Sequence, residues 1–189
     1  YKAKWTLLFY ICGDNDLQTW AEDLFGKLHR IGSTLSVNVI ALLDKRGERN
    51  SVIWYILKES GPWVWNYYIL KDDFEANMGS KEYLKLLLSY AKTFKAEHYL
   101  LWIYNHGNGT HVPQVDDYNR DGLDIIELCK ALKESNIKID VLFLCSCLGM
   151  NIETLFEIKD NVKILVASQE LGMGSYSLLG LILKHTALY

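Results

Sequence analysis

Only two of the 189 residues are proline, and low-complexity segments are absent, so neither a disordered tail nor a flexible linker divides the chain. A charge of one sign is lacking too. The 20 Lys and Arg against 23 Asp and Glu leave a formal net charge of −3 and a pI near 6.0, which argues against nucleic acid as the main partner. No apolar run reaches the roughly 18–20 residues of a membrane span, and no basic, apolar, small-residue signal pattern opens the sequence. A soluble protein is expected, its compartment left open because the chain begins at Tyr1 rather than Met. Cysteine is scarce as well: Cys12, Cys129, Cys145 and Cys147 are spaced for neither a disulfide framework nor a CxxC metal or redox motif.

What is present is a core. Half the residues are hydrophobic and 13% aromatic, and the length suits one domain spanning 1–189, with a monomer as the expected state. Apolar runs of strand length alternate with helical periodicity, the signature of an α/β sheet protein. Buried strands are predicted at Trp5–Cys12, Val37–Leu43, Tyr99–Tyr104, Val141–Leu144 and Val162–Ala167. Helices are predicted at Asp16–Arg30, Ser80–Lys95, Leu123–Glu134 and Asn151–Ile158, the first burying Leu17, Trp20, Leu24 and Leu28. Ser51–Leu57 and Trp63–Leu70 read as a hairpin across Gly61-Pro62. The longest irregular stretch, Asn105 to Gly122, follows a strand, and ligand sites of open parallel sheets gather beyond the C-terminal strand ends.

Two such ends carry His106-Gly107 and Ser146-Cys147. If the strands are neighbours, His106 and Cys147 meet as general base and nucleophile, the imidazole taking the thiol proton so that the thiolate attacks a carbonyl. Gly107, without a Cβ, allows a backbone N–H to face the reacting carbonyl, and with Cys147 N–H it forms a candidate oxyanion hole. His precedes Cys by 41 residues, an order and separation similar to the caspase-type arrangement.

The residues then carry a family resemblance. Trp5-Thr6-Leu7-Leu8-Phe9-Tyr10-Ile11, Asp14-Asn15-Asp16-Leu17, Glu75-Ala76-Asn77-Met78-Gly79, Tyr99 through Gly109, and Cys147-Leu148-Gly149-Met150-Asn151-Ile152-Glu153 resemble, in order, the motifs of the clostripain family of cysteine endopeptidases. The resemblance implies a three-layer α/β/α sandwich with a mostly parallel central sheet, caspase-like, with His106 and Cys147 as dyad and Gly107 and Cys147 lining the oxyanion hole. It implies a peptide or protein substrate, no required cofactor, and a secreted or cell-envelope location. Relatives commonly carry Asp two residues before the nucleophile, associated with a basic P1 side chain; here that residue is Cys145. Substrate contacts then fall to Cys145, Ser168 and Glu170, with Glu170 the candidate replacement charge. The stretch Gly172-Met173-Gly174-Ser175-Tyr176 has Ser175 where a Trp is usual. Arg120 corresponds to a zymogen-processing site after a basic residue, and relatives tend to be longer, which leaves open a missing C-terminal part.

Asp117, Asn119 and Asp121 before Gly122 match the first half of a calcium loop, although Leu128 falls where such a loop needs its closing acid, so calcium is an optional ligand. Asp14, Asn15 and Asp16 read as a turn and cap. Cys12 and Cys129 read as core thiols, His29, His98 and His185 as surface residues, and His111 as a candidate substrate contact. Two rivals stand beside the peptidase: a catalytically silent caspase-like module binding peptides or partners, and a flavodoxin-like nucleotide binder. The second lacks a glycine-rich phosphate loop after the first strand.

Overall fold

The computed structural model describes residues 2–58, 66–109 and 115–172. In chain order these form β1 (Ala3–Gly13), α1 (Gln18–Ile31), β2 (Val37–Lys45), β3 (Ser51–Leu57), β4 (Asn66–Phe74), α2 (Lys81–Thr93), β5 (Ala96–Tyr104), β6 (Val115–Asp116), β7 (Asp121–Gly122), α3 (Ile125–Ser135), β8 (Ile139–Cys145), α4 (Ile152–Ile158) and β9 (Val162–Ala167). Seven strands make one sheet in the order β4-β3-β2-β1-β5-β8-β9, and β6 pairs with β7 alone. The five strands from β2 to β9 across the centre are parallel, while β3 and β4 add an antiparallel edge.

Residue alternation in β1 explains the layers. Leu8, Tyr10 and Cys12 face the core beneath α2 and α3, and Leu7, Phe9 and Ile11 face the core beneath α1. Both faces are covered, so the strand is apolar throughout. Helices α2, α3 and α4 start where polar side chains can satisfy their first N–H groups. Ser80 Oγ accepts from Glu82 N at 3.3 Å, Asp124 Oδ1 from Glu127 N at 2.7 Å, and Asn151 Oδ1 from Thr154 N at 2.8 Å. The loop predicted between Asn105 and Gly122 does hold regular structure, the short β6–β7 pair.

Two readings of α1 are corrected. Its buried stripe is Ala21, Leu24, Phe25, Leu28 and His29, at helical spacing, which leaves Trp20 on the outer side and 55% exposed. His29, expected at the surface, is fully buried because its ring lies edge-on to Phe25 at 5.2 Å and to Tyr67 at 6.1 Å. Burial disfavours the cation and lowers its pKa. Cys12 and Cys129 are core thiols as expected, and all four cysteines are unbridged. The second hairpin strand is described over Asn66–Phe74, and both its predicted start at Trp63 and the Gly61-Pro62 turn lie outside the described residues. So do His111, His185 and the stretch Met173 to Tyr176.

The centre of the α1-side core is Trp102, fully buried and stacked on Phe143 with ring centroids 3.9 Å apart. Trp102→Ala is expected to cost roughly 3–5 kcal/mol, read as a lower urea midpoint with an unchanged slope.

Candidate active site

The parallel strands finish together. Ile11 lies opposite Tyr104, Tyr104 opposite Cys145, and Leu144 opposite Ala167, so the segments after β1, β5, β8 and β9 line one edge of the sheet. That edge receives Asp14-Asn15-Asp16, Asn105-His106-Gly107, Ser146-Cys147-Leu148 and Ser168-Gln169-Glu170. The neighbour relation that the sequence could only suppose, β5 beside β8, is present.

The His and Cys loops touch through a missing side chain. A Cβ on Gly107 would stand 2.4 Å from Cys147 O and 2.9 Å from Ser146 Cβ, so only glycine allows this approach. Asn105 N donates to Cys145 O at 3.4 Å, carrying the strand pairing one residue further. The buried Asn105 Oδ1 accepts from His106 N at 2.7 Å and from Asn15 Nδ2 at 2.9 Å, which ties the β5 end to the β1 end.

The imidazole of His106 has a partner that the sequence reading did not consider. Its Nε2 meets Asp16 Oδ1 at 2.6 Å, and this hydrogen bond holds the Asp16 carboxyl below the usual carboxylate range. A turn role for residues 14–16 is therefore incomplete: Asn15 Oδ1 does accept from Leu17 N at 2.8 Å, but its two neighbours serve other groups. The available signal was an acid following the strand next to the His-bearing strand.

Cys147 is half-buried, and its Sγ accepts from Gly172 N at 3.3 Å. The next residue, Leu148, adopts φ +56°, a left-handed conformation costing a non-glycine residue roughly 1–2 kcal/mol. Two backbone bonds hold this sharp turn, Leu148 N to Glu170 O at 3.0 Å and Met150 N to Ser168 O at 2.9 Å. Ser168 and Glu170 therefore stand against the Cys147 loop, with Glu170 exposed and Cys145 half-buried beside them. Arg120 is exposed at the turn between β6 and β7, with φ +53°.

The acidic residues after His106 separate into two sets. Asp117 pairs with Arg46 at 3.6 Å, and Asp121 Oδ2 accepts from Asn77 Nδ2 at 2.8 Å. Asn119 Nδ2 donates to Glu75 Oε1 and to both oxygens of Asp116. Among the described residues, the carboxylates that converge closely enough to hold a metal are Asp14, Asp44, Glu75 and Asp116, each with an oxygen within 4.8 Å of the others'. Asp116 is one position before the predicted calcium triplet; Asp14, Asp44 and Glu75 each close or follow a strand-length segment, a pattern legible in the sequence but not assembled there. Burial and then mutual repulsion raise the pKa of Asp14, Glu75 and above all Asp44, from 3.8 to about 8.

A cavity of about 520 Å³ opens at the other end of the sheet, lined by Lys95, Ala96, Lys138, Asp140 and Lys163. It lies at the N-terminal strand ends, so the site is assigned by its chemistry rather than by cavity size.

A sequence profile of the clostripain family matches residues 9–186. No curated protein matches the sequence. Among solved structures, a secreted C11 cysteine protease from Bacteroides thetaiotaomicron with an irreversible peptide inhibitor superposes with TM-score 0.77 at 16% identity, over 89% of this chain and 50% of that one. Another structure of a secreted C11 cysteine protease from that organism gives 0.76 at 16% identity, over 92% and 54%. An inactive zymogen C11 protease from Parabacteroides distasonis gives 0.75 at 20% identity, over 92% and 50%. The present chain thus spans about half the length of these proteins. At such identities the likeness is one of fold, and it bears out the caspase-like sandwich.

The Asp44 shift has a consequence for stability. A raised folded-state pKa means that the folded protein keeps a proton the unfolded chain releases, so the contribution of Asp44 to stability is full at low pH and is lost as pH rises from about 4 to about 8. In chelating buffer, urea melts across that window should fall for the wild type and stay flatter for Asp44→Asn, which carries no titrating proton.

Proposed function

Because this chain belongs to the clostripain family, we propose that it is a cysteine endopeptidase working through Cys147 and His106. The observation that carries the reading is the close meeting of the two loops, allowed by Gly107, with the Gly172 N–H directed at the Cys147 sulfur.

The chemistry follows from those positions. His106 takes the Cys147 proton as Sγ bonds to the scissile carbonyl carbon, and the carbonyl π pair moves onto oxygen. The resulting oxyanion is held by Cys147 N–H and Gly107 N–H. When the pair returns, the C–N bond breaks and His106 gives its proton to the departing amine, leaving a thioester on Cys147. Water then attacks with His106 again as base, and collapse releases the carboxylic acid and the thiol. Every proton is accounted for within the dyad and water, so no cofactor enters these steps.

Asp16 is a positioning residue. Its carboxylate fixes the ring tautomer by accepting at Nε2, which leaves Nδ1 as the nitrogen for proton exchange. Asp16 is largely exposed, so the effect is smaller than that of a buried orienting acid. Cys145, Ser168 and Glu170 form the proposed substrate-binding wall. A basic P1 side chain would here depend on Glu170, since a thiol at Cys145 carries no fixed charge. Cleavage after Arg120 is the proposed activation step, suited by the exposure of that turn. Secretion is inferred from the two secreted Bacteroides thetaiotaomicron proteases of the same fold. Among the described residues no helix is long and apolar enough to cross a membrane.

Cys147→Ala should abolish both peptide hydrolysis and labelling by an acyloxymethyl-ketone probe, whereas Cys145→Ala should still be labelled. Continued hydrolysis by Cys147→Ala would remove it as nucleophile, and a wild-type protein labelled at no cysteine would favour the silent binding module. For Asp16→Asn, kcat is expected to drop about tenfold with little change in KM, well short of the 10²–10⁴ contributed by a whole general acid–base group. An unchanged kcat across pH 5–9 would leave Asp16 with no positioning role.

A further inference from the structure

We propose that the cavity at the N-terminal ends of β5, β8 and β9 is a binding site for a small organic anion that carries two or more negative charges on phosphate or carboxylate groups. The cavity, about 520 Å³, has the size of a small-ligand site and stands at the opposite end of the sheet from His106 and Cys147. Residues 95–99 entering β5, residues 136–140 entering β8 and the last turn of α2 form most of its wall, and Lys2 before β1 and Lys163 in β9 complete it.

The wall differs in charge from the rest of the protein. The chain carries a net −3, yet Lys2, Lys92, Lys95, Lys138 and Lys163 meet here against two acids, Glu97 and Asp140, which leaves a local formal charge of +3. The C-terminal ends of α2 and α3 adjoin the cavity at Lys92 and Asn136, and their two half-charges offset roughly one of those cations. About two positive charges remain, and they set the valence of the ligand.

The pairing pattern shows which cations are free to bind it. The buried Asp140 already accepts from Lys163 Nζ at 2.5 Å and from Tyr99 N at 2.9 Å, and Glu97 pairs with Lys4 at 3.5 Å. Lys138 Nζ donates to the backbone carbonyl of Asp160, which holds the side chain in place without cancelling its charge. Lys2, Lys92 and Lys95 have no acid partner among the described residues, whereas Lys81 and Lys85 share Glu134 and Lys27 has Asp23. Like charges gathered round a concave surface repel one another and focus a positive potential into it, and a bound anion relieves that repulsion.

Below the lysines the floor is apolar. Ala91, Ala96 and Ile137 are buried, and the half-buried Tyr99 is fixed by accepting at its hydroxyl from Ala96 N at 3.1 Å. An apolar floor under a cationic rim suits a ligand with a carbon body better than a bare inorganic ion. Lysine ammoniums are point charges on flexible stems, without the planar fork by which arginine selects a geometry. With lysine as its only cation among the described residues, the wall reads charge and accepts tetrahedral phosphate and planar carboxylate alike.

The test follows amide chemical shifts of the whole isotope-labelled protein during titration with phenyl phosphate, phthalate and inorganic phosphate, all mainly divalent at about pH 7.5. At about 20 mM NaCl, saturable shifts are expected at residues 95–99 and 136–140, with Kd about 0.1–1 mM for the two aromatic probes and at least threefold weaker binding at about 200 mM. Lys95→Gln combined with Lys138→Gln should raise Kd at least tenfold. Lys27→Gln combined with Arg30→Gln, which removes the same charge from α1 on the other face, should leave it within twofold. If Lys138→Gln perturbs the spectrum beyond the cavity, Lys92→Gln replaces it with the same expectation. Absence of saturable shifts, shifts centred elsewhere, or equal weakening by both double variants overturns the site. Inorganic phosphate binding as tightly as phenyl phosphate overturns the role of the apolar floor. A tenfold preference for phenyl phosphate or for phthalate supports the site and names phosphate or carboxylate as the ligand's charged group, and equal affinity supports readout of charge alone. No peptide substrate enters the measurement, so its failure leaves the peptidase reading standing.

Discussion

Three consecutive side chains at the end of the central strand hold the functional edge together. From the turn after β1, Asp14 Oδ2 accepts from Tyr118 N, Asn15 Nδ2 donates to Asn105 Oδ1, and Asp16 Oδ1 meets His106 Nε2. Together they reach two pieces of chain, the end of β5 at residues 105–106 and the loop at Tyr118, both more than 80 positions away in sequence. The location follows from topology. The chain leaves β1 toward β2 on one side and later returns to β5 on the other, so the β1 end is where the strand order reverses and a crevice opens. A polar turn placed there can hold groups on both sides.

Closeness at this edge depends on what is missing as much as on what is present. Gly107 lets its loop pass against Cys147, and Gly79 packs against the β6–β7 pair, where a Cβ would come within 2.4 Å of Gly122 N. The loop after His106 is therefore clamped from two directions, by the Asp14 turn and by the segment Glu75–Gly79, whose Met78 N and Asn77 Nδ2 hold Asp116 and Asp121. Such an arrangement costs stability: a left-handed Leu148, converging carboxylates and a carboxylate oxygen with no partner among the described residues are all unfavourable in isolation. The cores on either side of the sheet, anchored by Trp102 on one face and Tyr10 and Leu8 on the other, supply the rigidity that keeps them in place.

Much of the fold was legible in the sequence because burial writes a period into it. The continuous apolar run of β1 announced a strand covered on both sides, and the helices predicted from Ser80 and Asn151 open on residues whose side-chain oxygens can accept from the first free N–H groups. The errors have equally local causes. Trp20 lies one residue off the α1 stripe and His29 belongs to it, and hydrophobicity alone sets such a stripe's centre only to within about one residue. A histidine edge-on to two aromatic rings is invisible until β4 is seen to lie beside α1.

His106, Gly107 and Cys147 stood out because their residue types follow strand-like runs, and position after a strand in a parallel sheet is an address that sequence order carries. The sequence alone determined two layers of helix around a mostly parallel sheet, the candidate reactive side chains, and membership in a recognisable set of motifs. Only the tertiary structure decided that β5 lies against β8, that Asp16 belongs to His106, and that Asp14, Asp44, Glu75 and Asp116 converge. Local propensities act over a few residues, whereas strand order and register are set by burial of the whole chain, and contacts across 30 to 100 positions exist only after that burial is complete.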